Sequence, residues 1–101
     1  MSIIFFNSSG QVLLFLRDDK VGLAFPNCWD VPGGSPKGNE TPEETIKREM
    51  REEIELELEA PRLFKIYEME DRIEYTFWQQ ADLDINALPL HEGQGMKWFF
   101  L

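Results

Sequence analysis

The order of apolar and polar residues predicts a chain that opens with a β-hairpin. Apolar runs at residues 3–6 and 12–16 flank the turn-forming sequence Asn-Ser-Ser-Gly at residues 7–10. The second run is almost continuous in apolar residues, which is typical of a central, buried strand. Glycines and prolines in residues 20–34 predict a long loop or a short strand. Later strands are predicted over residues 62–70, 72–83 and 96–101, the first two joined by a turn near Asp71.

One helix is predicted in the middle of the chain. Thr41 is a suitable N-cap, Pro42 suits the first helical position, and Glu44 completes a Thr-x-x-Glu capping box. The helical pattern ends at about Glu53 or Ile54, where the sequence changes to an apolar period of two. The predicted fold class is therefore α/β (α+β), a mixed β-sheet with this helix packed on it.

The helix places acidic residues next to its apolar face. At about 100° per residue, Glu49, Glu52 and Glu53 share one sector, and two of them border the apolar stripe. The stripe consists of Ile46, Met50 and Ile54. Carboxylates crowded at a cleft edge raise one another's pKa unless a cation neutralises them, and such sites suit Mg²⁺ or Mn²⁺. The alternative is a solvated acidic face with ion pairs, such as Arg48 with Glu44 or Glu52.

Length, net charge and cysteine content limit the kinds of partner and the cellular compartment that we expect for this chain. The 101 residues are enough for one domain over residues 1–101. The formal net charge of −9 argues against a nucleic-acid polymer or an anionic membrane as partner. Divalent cations can still connect an acidic protein to an anionic substrate. Cys28 is the only cysteine, which fits a reducing compartment, and no signal peptide or transmembrane helix is recognisable, so we expect a soluble cytoplasmic protein.

The segment from Gly34 to Leu56 resembles the Nudix box, G-x5-E-x7-R-E-U-x-E-E-x-G-U, in which U is a bulky aliphatic residue. The matching positions are Gly34, Glu40, Arg48, Glu49, Met50, Glu52, Glu53 and Leu56. The sequence Trp-Asp-Val-Pro-Gly-Gly at residues 29–34 is also similar to the approach to the box in that family. One position departs, because Glu55 stands where the family has a glycine that ends the helix in a left-handed conformation. A residue with a side chain costs roughly 1 kcal/mol more there.

The resemblance implies a MutT-like hydrolase that depends on Mg²⁺, with Mn²⁺ as the other candidate ion. The family hydrolyses nucleoside diphosphates linked to another moiety, including nucleoside triphosphates, by attack of water at phosphorus. The expected partner is therefore a small nucleotide, whose charge metal ions shield in the transition state. The alternative is a Nudix-fold module that binds a nucleotide with weak or no catalysis.

The same resemblance implies roles for acidic residues. Glu52 and Glu53 are expected metal ligands, and Glu49 is expected either as a third ligand or as the general base. The carbonyl of Gly33 is a further candidate ligand, because glycine lets the backbone approach closely. Glu92, in the loop before the last strand, matches a family glutamate that supplies a ligand or the base. Its alternative is a plain surface position.

Other side chains are candidates for orienting groups or binding substrate. Arg48 joins the catalytic set by orienting Glu49 or Glu52, and Glu40 is either a water-mediated ligand or an exposed loop residue. Arg17 either contacts a phosphate or pairs with a neighbouring aspartate. The candidates for stacking on or hydrogen-bonding the nucleotide base are Phe25, Asn27, Tyr75, Phe77 and Trp78.

One helix is too little to cover both faces of a mixed sheet. The family continues after the last strand with a C-terminal helix packed on the sheet, and the 101 residues lack it. We therefore expect either a domain that is incomplete at its C-terminus or a second sheet face that packs against another chain in a homodimer.

Overall fold

One mixed β-sheet and one helix make up the regular structure. The structure is a computed structural model that describes residues 1–18, 27–91 and 93–100. The elements are β1 (Ser2–Phe6), β2 (Gln11–Leu16), β3 (Trp29–Asp30), α1 (Pro42–Ile54), β4 (Arg62–Glu68), β5 (Ile73–Gln80) and β6 (Gly95–Phe100). This confirms the α/β (α+β) class, and within the described ranges no C-terminal helix follows β6. In those ranges no helix is long and apolar enough to cross a membrane.

The sheet opens between its first two strands. Its order is β3-β2-β1-β5-β4, with β6 on the other edge of β2, and only β1 and β5 run parallel. The strands β1 and β2 pair in register at Phe6 and Val12, whereas β3 pairs with the far end of β2. The chain after β3 then joins β1, because the Ile3 N–H donates to the Pro32 carbonyl at 3.0 Å and Ser2 bridges to Gly33. This brings the Pro-Gly-Gly turn beside the first residues of β1.

The predicted signals define both ends of α1. The Thr41 hydroxyl accepts from the Glu44 N–H at 3.2 Å, and the Glu44 carboxylate accepts from the Thr41 N–H at 3.0 Å, which confirms the capping box. The helix ends at Ile54, and Glu55 adopts a left-handed conformation with φ 53° and ψ 37°. The N–H of Leu56 then donates to the Met50 carbonyl at 3.2 Å. Glu55 therefore takes the conformation that glycine favours.

The core lies between α1 and one face of the sheet. The buried apolar residues are Ile3, Phe5, Leu13, Phe15, Ile46, Met50, Ile54, Leu58 and Phe77. All three residues of the predicted helix stripe are in this set. The loop after β5 adds partly buried side chains to the same face: Leu83, Ile85, Leu88 and Leu90.

The opposite face of the sheet carries apolar side chains that the described residues leave half-exposed. In β2, Leu13 and Phe15 are buried, but Val12, Leu14 and Leu16 are only partly covered. The expectation of a central, buried strand is thus confirmed for the position of β2 in the sheet, but only one face of this strand is buried. The physical reason is that successive strand residues point to opposite faces, and α1 packs on one of them.

The β4–β5 hairpin also follows the prediction. The two strands pair antiparallel, and the Met69 N–H donates to the Arg72 carbonyl at 2.8 Å across the turn that contains Asp71. The predicted single domain over residues 1–101, incomplete at its C-terminus, stays a prediction.

Candidate active site

Glu53 lies at a cavity beside the Pro-Gly-Gly turn. Glu53 is only 7% exposed, because α1 turns its carboxylate toward the sheet and away from solvent. The cavity has a volume of about 130 Å³. Polar or backbone groups reach it from four segments of the chain: Arg17, Asp18, Asp30, Gly33, Glu53 and Gly93. A buried carboxylate in a polar cleft is a typical arrangement for catalysis or metal binding.

Arg48 binds the carboxylates of Glu49 and Glu52 on the helix and that of Glu40 in the loop before it. Its Nη1 lies 2.9 Å from Glu49 Oε1 and 3.1 Å from Glu52 Oε2, and its Nε lies 2.7 Å from Glu40 Oε2. Nη2 donates to Glu40 Oε1 at 3.0 Å and to the Ser35 carbonyl at 2.9 Å. Arg48 therefore contacts both Glu49 and Glu52, although the pair with Glu52 is also the one expected for a solvated acidic face, and Glu40 adds a two-point contact. The orienting role of Arg48 stays a prediction.

Glu40 is a strongly bound carboxylate. Its hydrogen bonds with Arg48, and after them the hydrogen bond from the Lys37 N–H, lower its pKa from the usual 4.5 to about 2. The same contact with Glu40, followed by the one with Glu49, raises the pKa of Arg48. Glu40 thus stays ionised at all ordinary pH values and holds the guanidinium in place.

Both glycines of the turn lie where other parts of the chain approach closely. A Cβ on Gly33 would overlap the carbonyl oxygen of Met1, so the backbone itself requires glycine at this position. A Cβ on Gly34 would overlap the carboxylate of Glu49, which is the end of a flexible side chain and would have to shift. The Gly34 N–H also donates to the Met1 carbonyl at 2.9 Å.

The oxygen atoms of the candidate metal ligands suit a hard divalent cation. Glu49, Glu52, Glu53 and the carbonyl of Gly33 offer oxygen ligands only, as Mg²⁺ and Mn²⁺ prefer. In the described part of the chain no three His, Cys, Asp or Glu side chains converge closely enough to hold an ion. The reason is that Arg48 draws Glu49 and Glu52 toward itself, whereas Glu53 faces the cavity. To reach an ion beside Glu53, the other carboxylates have to turn away from Arg48.

Arg17 directly follows β2, and Asn27 lies two residues before β3. Arg17 lines the cavity, and its N–H donates to the Cys28 carbonyl at 2.9 Å. The Gln94 amide nitrogen donates to the Arg17 carbonyl at 2.7 Å and to Asn27 Oδ1 at 2.6 Å. These hydrogen bonds hold Asn27 next to the cavity, although Asn27 does not line it. Its backbone has a positive φ of 58°.

The remaining predicted substrate-binding residues divide into two groups. Trp78 lies on the helix-free face, 5.2 Å from the Phe6 ring and under Arg62 at 5.5 Å, and does not line the cavity. The pairing of Trp78 with Ile4 points it away from α1, where it lines a second pocket together with Arg62, and its contact with a nucleotide base stays a prediction. Phe25 and Glu92 lie outside the described residues.

The other two aromatic candidates belong to the core. Phe77 is 5% exposed, and Tyr75 packs against the core cluster. Neither lines the cavity. Most aromatic residues of strands bury their rings in this way, so the pattern of β5 did not distinguish a binding residue from a core residue.

Asp30 and Gln94 were missed by the sequence reasoning. Asp30 lines the cavity, and its Oδ1 accepts from the Val31 N–H at 2.8 Å. The signal was an acidic residue inside a short strand that leads directly into Pro32 and Gly33. No local signal marked Gln94, since its partners are more than 60 residues away, with sequence separations of 77 and 67.

Comparison with known proteins agrees with this geometry. A sequence model of the NUDIX domain matches residues 1–101. Curated relatives named RNA pyrophosphohydrolase match the whole chain: that of Marinomonas sp. (strain MWYL1) is 36% identical over 101 residues, and that of Pseudomonas aeruginosa (strain LESB58) is 34% identical over 107 residues. The chain spans 57% and 58% of the length of these two relatives.

Solved structures share the fold. A protein of Deinococcus radiodurans superposes with a TM-score of 0.82 at 24% identity, over 98% of this chain and 64% of that one. The MutT protein of Methanosarcina mazei Go1 gives a TM-score of 0.74 at 22% identity, over 98% of this chain and 73% of its own. These likenesses concern the fold, and the domain match over all 101 residues establishes that the chain belongs to the Nudix hydrolase family.

Proposed function

We propose that this chain hydrolyses the diphosphate bond of a nucleoside diphosphate linked to another moiety, by attack of water at phosphorus. The observation that carries the proposal is the Glu53 carboxylate, buried at a cavity that Gly33 and Arg17 also line. Family membership over the full chain supports the same reaction class.

The proposed cofactor is Mg²⁺, with Mn²⁺ as the alternative, held by Glu49, Glu52, Glu53 and the Gly33 carbonyl. When bound, such a cation shields the phosphate charge and lowers the pKa of its bound water. The all-oxygen donor set supports this assignment. Glu92, the other proposed ligand, lies outside the described residues.

The chain's own groups supply proton transfer and orientation. Glu49, or else Glu92 outside the described residues, accepts the proton of the attacking water at a carboxylate oxygen. Arg48 acts through the carboxylates that it binds, and Glu40 fixes its guanidinium. Arg17, at the cavity, donates hydrogen bonds to a phosphate oxygen of the substrate.

A small nucleotide is the proposed substrate class. The net charge of −9 supports this choice, since an acidic protein repels a long phosphate backbone. The names of the relatives favour a second candidate, an RNA whose 5′ end carries a pyrophosphate. The chain covers little more than half of those relatives, so RNA remains the second candidate.

A substrate panel tests the proposed function. Nucleoside triphosphates, nucleotide sugars, dinucleotide polyphosphates and a 5′-triphosphorylated RNA oligonucleotide are incubated with Mg²⁺ or Mn²⁺, and the released phosphate species are identified. We expect metal-dependent hydrolysis of a small nucleotide that stops when EDTA is added. Tight nucleotide binding with no turnover of any member would instead support the alternative of an inactive binding module.

We further propose a homodimer and a cytoplasmic location. The half-exposed apolar residues on the helix-free face, Val12 and Leu14 among them, support association with a second copy. The single cysteine supports a reducing compartment.

A further inference from the structure

The end of α1 is held by a contact between Glu55 and His91. His91 Nε2 lies 2.7 Å from Glu55 Oε2, and the His91 N–H donates to the Glu53 carbonyl at 2.8 Å. Both side chains remain largely exposed, at 54% for His91 and 64% for Glu55. His91 therefore binds the helix twice, once through its backbone and once through its ring.

Gly93 and Gln94 lie on the opposite side of the cavity from α1. The Gly93 N–H lies 3.3 Å from Asp18 Oδ2, and the Gln94 N–H donates to the Leu16 carbonyl at 2.9 Å. Gly93 itself lines the cavity together with Glu53. His91 is thus attached to the helix, and Gly93 and Gln94 are attached to the end of β2.

The choice of glutamate at position 55 opposes local stability. Glu55 has φ 53°, and a glycine would relieve the strain that a side chain has in this conformation. An exposed ion pair contributes little to stability, so the contact with His91 is a weak compensation. Glu55 lowers local stability, and its contact with His91 restores little of it. We therefore explain the glutamate by the groups that it positions.

We propose that Glu55 and His91 form a positioning pair that holds His91, and with it Gly93 and Gln94, near the C-terminal end of α1, beside Glu53. Neither side chain lines the cavity. The pair sets the distance between the helix that carries Glu53 and Gly93 on the other side of the cavity. Its effect on catalysis rests on the proposed hydrolase function, whereas its effect on the exchange of the Gly93 and Gln94 amides does not.

The test compares Glu55→Gly, Glu55→Gln, His91→Ala and the double variant Glu55→Gly/His91→Ala. Glu59→Gly, an exposed position in the loop after α1, is the matched control. The readouts are the melting temperature, amide hydrogen exchange at Gly93 and Gln94, and the separate values of kcat and KM.

For Glu55→Gly we expect an unchanged or higher melting temperature, exchange at Gly93 and Gln94 that is faster by about two- to fivefold, and a fall in kcat of about the same size with little change in KM. His91→Ala gives the same exchange and kcat, and the double variant is no worse than either single change. Glu55→Gln keeps the hydrogen bond to the ring and therefore retains slow exchange and most of kcat.

Unchanged exchange at Gly93 and Gln94 in Glu55→Gly would overturn the proposed attachment. Faster exchange with unchanged kcat in an active enzyme would overturn the positioning role. A wild-type chain that hydrolyses no member of the substrate panel would instead contradict the proposed function, and the exchange data would then decide on the attachment alone.

Discussion

Arg48 and Glu40 face each other through two parallel hydrogen bonds, with Nε 2.7 Å from Oε2 and Nη2 3.0 Å from Oε1. Glu40 lies in the loop before α1, so this contact joins the loop to the helix. It also leaves Nη1 to face Glu49 and Glu52 at 2.9 and 3.1 Å. The planar fork of arginine is what allows one side chain to bind all three carboxylates.

Arg48→Lys is therefore expected to lower activity strongly. Lysine keeps the charge but cannot make the two-point contact with Glu40 while it binds the helix carboxylates. We expect metal-dependent hydrolysis to fall by roughly 10- to 100-fold, with a small loss in melting temperature. Steady-state kinetics with the best substrate of the panel checks this.

Arg51→Lys is the matched control for that variant. Arg51 is on the same helix and makes the same kind of fork with Glu57, at 2.6 and 3.0 Å, but on the exposed surface. Its activity should equal that of wild type. Equal losses in the two variants would mean that Arg48 has no special role.

The low pKa of Glu40 predicts a pH-dependent contribution to stability. The folded pKa of about 2 lies below the usual 4.5, so the folded state holds the Glu40 proton less tightly than the unfolded state. The stabilisation is fully present above about pH 4.5 and is lost as the pH falls toward 2. Glu40→Gln should thus be less stable than wild type at pH 7, and the difference should vanish near pH 2.

Urea denaturation midpoints across this pH range measure the effect. Glu59→Gln, which removes an exposed carboxylate from the loop after α1, serves as the control. A difference between wild type and Glu40→Gln that is the same at pH 7 and at pH 2 would contradict the assigned cause.

Gly34→Ala tests the close packing of the turn against the helix. The added Cβ would overlap the Glu49 carboxylate, which then has to move. Because the added Cβ meets only the flexible end of the Glu49 side chain, we expect little change in the free energy of unfolding and a clear fall in activity. Gly95→Ala is the control, since nothing lies within 4 Å of its added Cβ. Wild-type activity in Gly34→Ala would show that the turn does not need glycine at this position.

Local signals were sufficient for much of the fold. The capping box at Thr41 and Glu44 gave the start of α1, and the stripe of Ile46, Met50 and Ile54 gave its buried face. The position of Glu53 next to that stripe gave its burial, because the helix period determines which side chains border the core.

Long-range pairing was not available from those signals. Phe77 and Trp78 are adjacent aromatic residues that point to opposite faces, and only the parallel register with β1 decides which of them is buried. The separation of β1 from β2 depends likewise on the contact of Ile3 with Pro32, 29 positions later. Loop residues such as Gln94 acquire their role from neighbours that are distant in sequence.

The proposed dimer predicts self-association of the 101-residue chain. Leu14 is half-exposed on the helix-free face, opposite Lys97 of β6. Leu14→Glu should therefore be tolerated in the monomer and should weaken association, whereas Leu14→Met should not. Sedimentation velocity over a range of concentrations measures this, and a wild-type chain that stays monomeric at high concentration would contradict the proposal.

The most direct test of the proposed role of Glu53 in hydrolysis is the metal-dependent hydrolysis rate of Glu53→Gln, measured beside its melting temperature. Gln keeps the shape of the side chain but removes the charge that a metal ligand or general base requires. We expect the hydrolysis rate to fall by roughly 10²- to 10⁴-fold while the melting temperature stays nearly unchanged. A Glu53→Gln chain that hydrolyses its substrate at the wild-type rate would contradict this role.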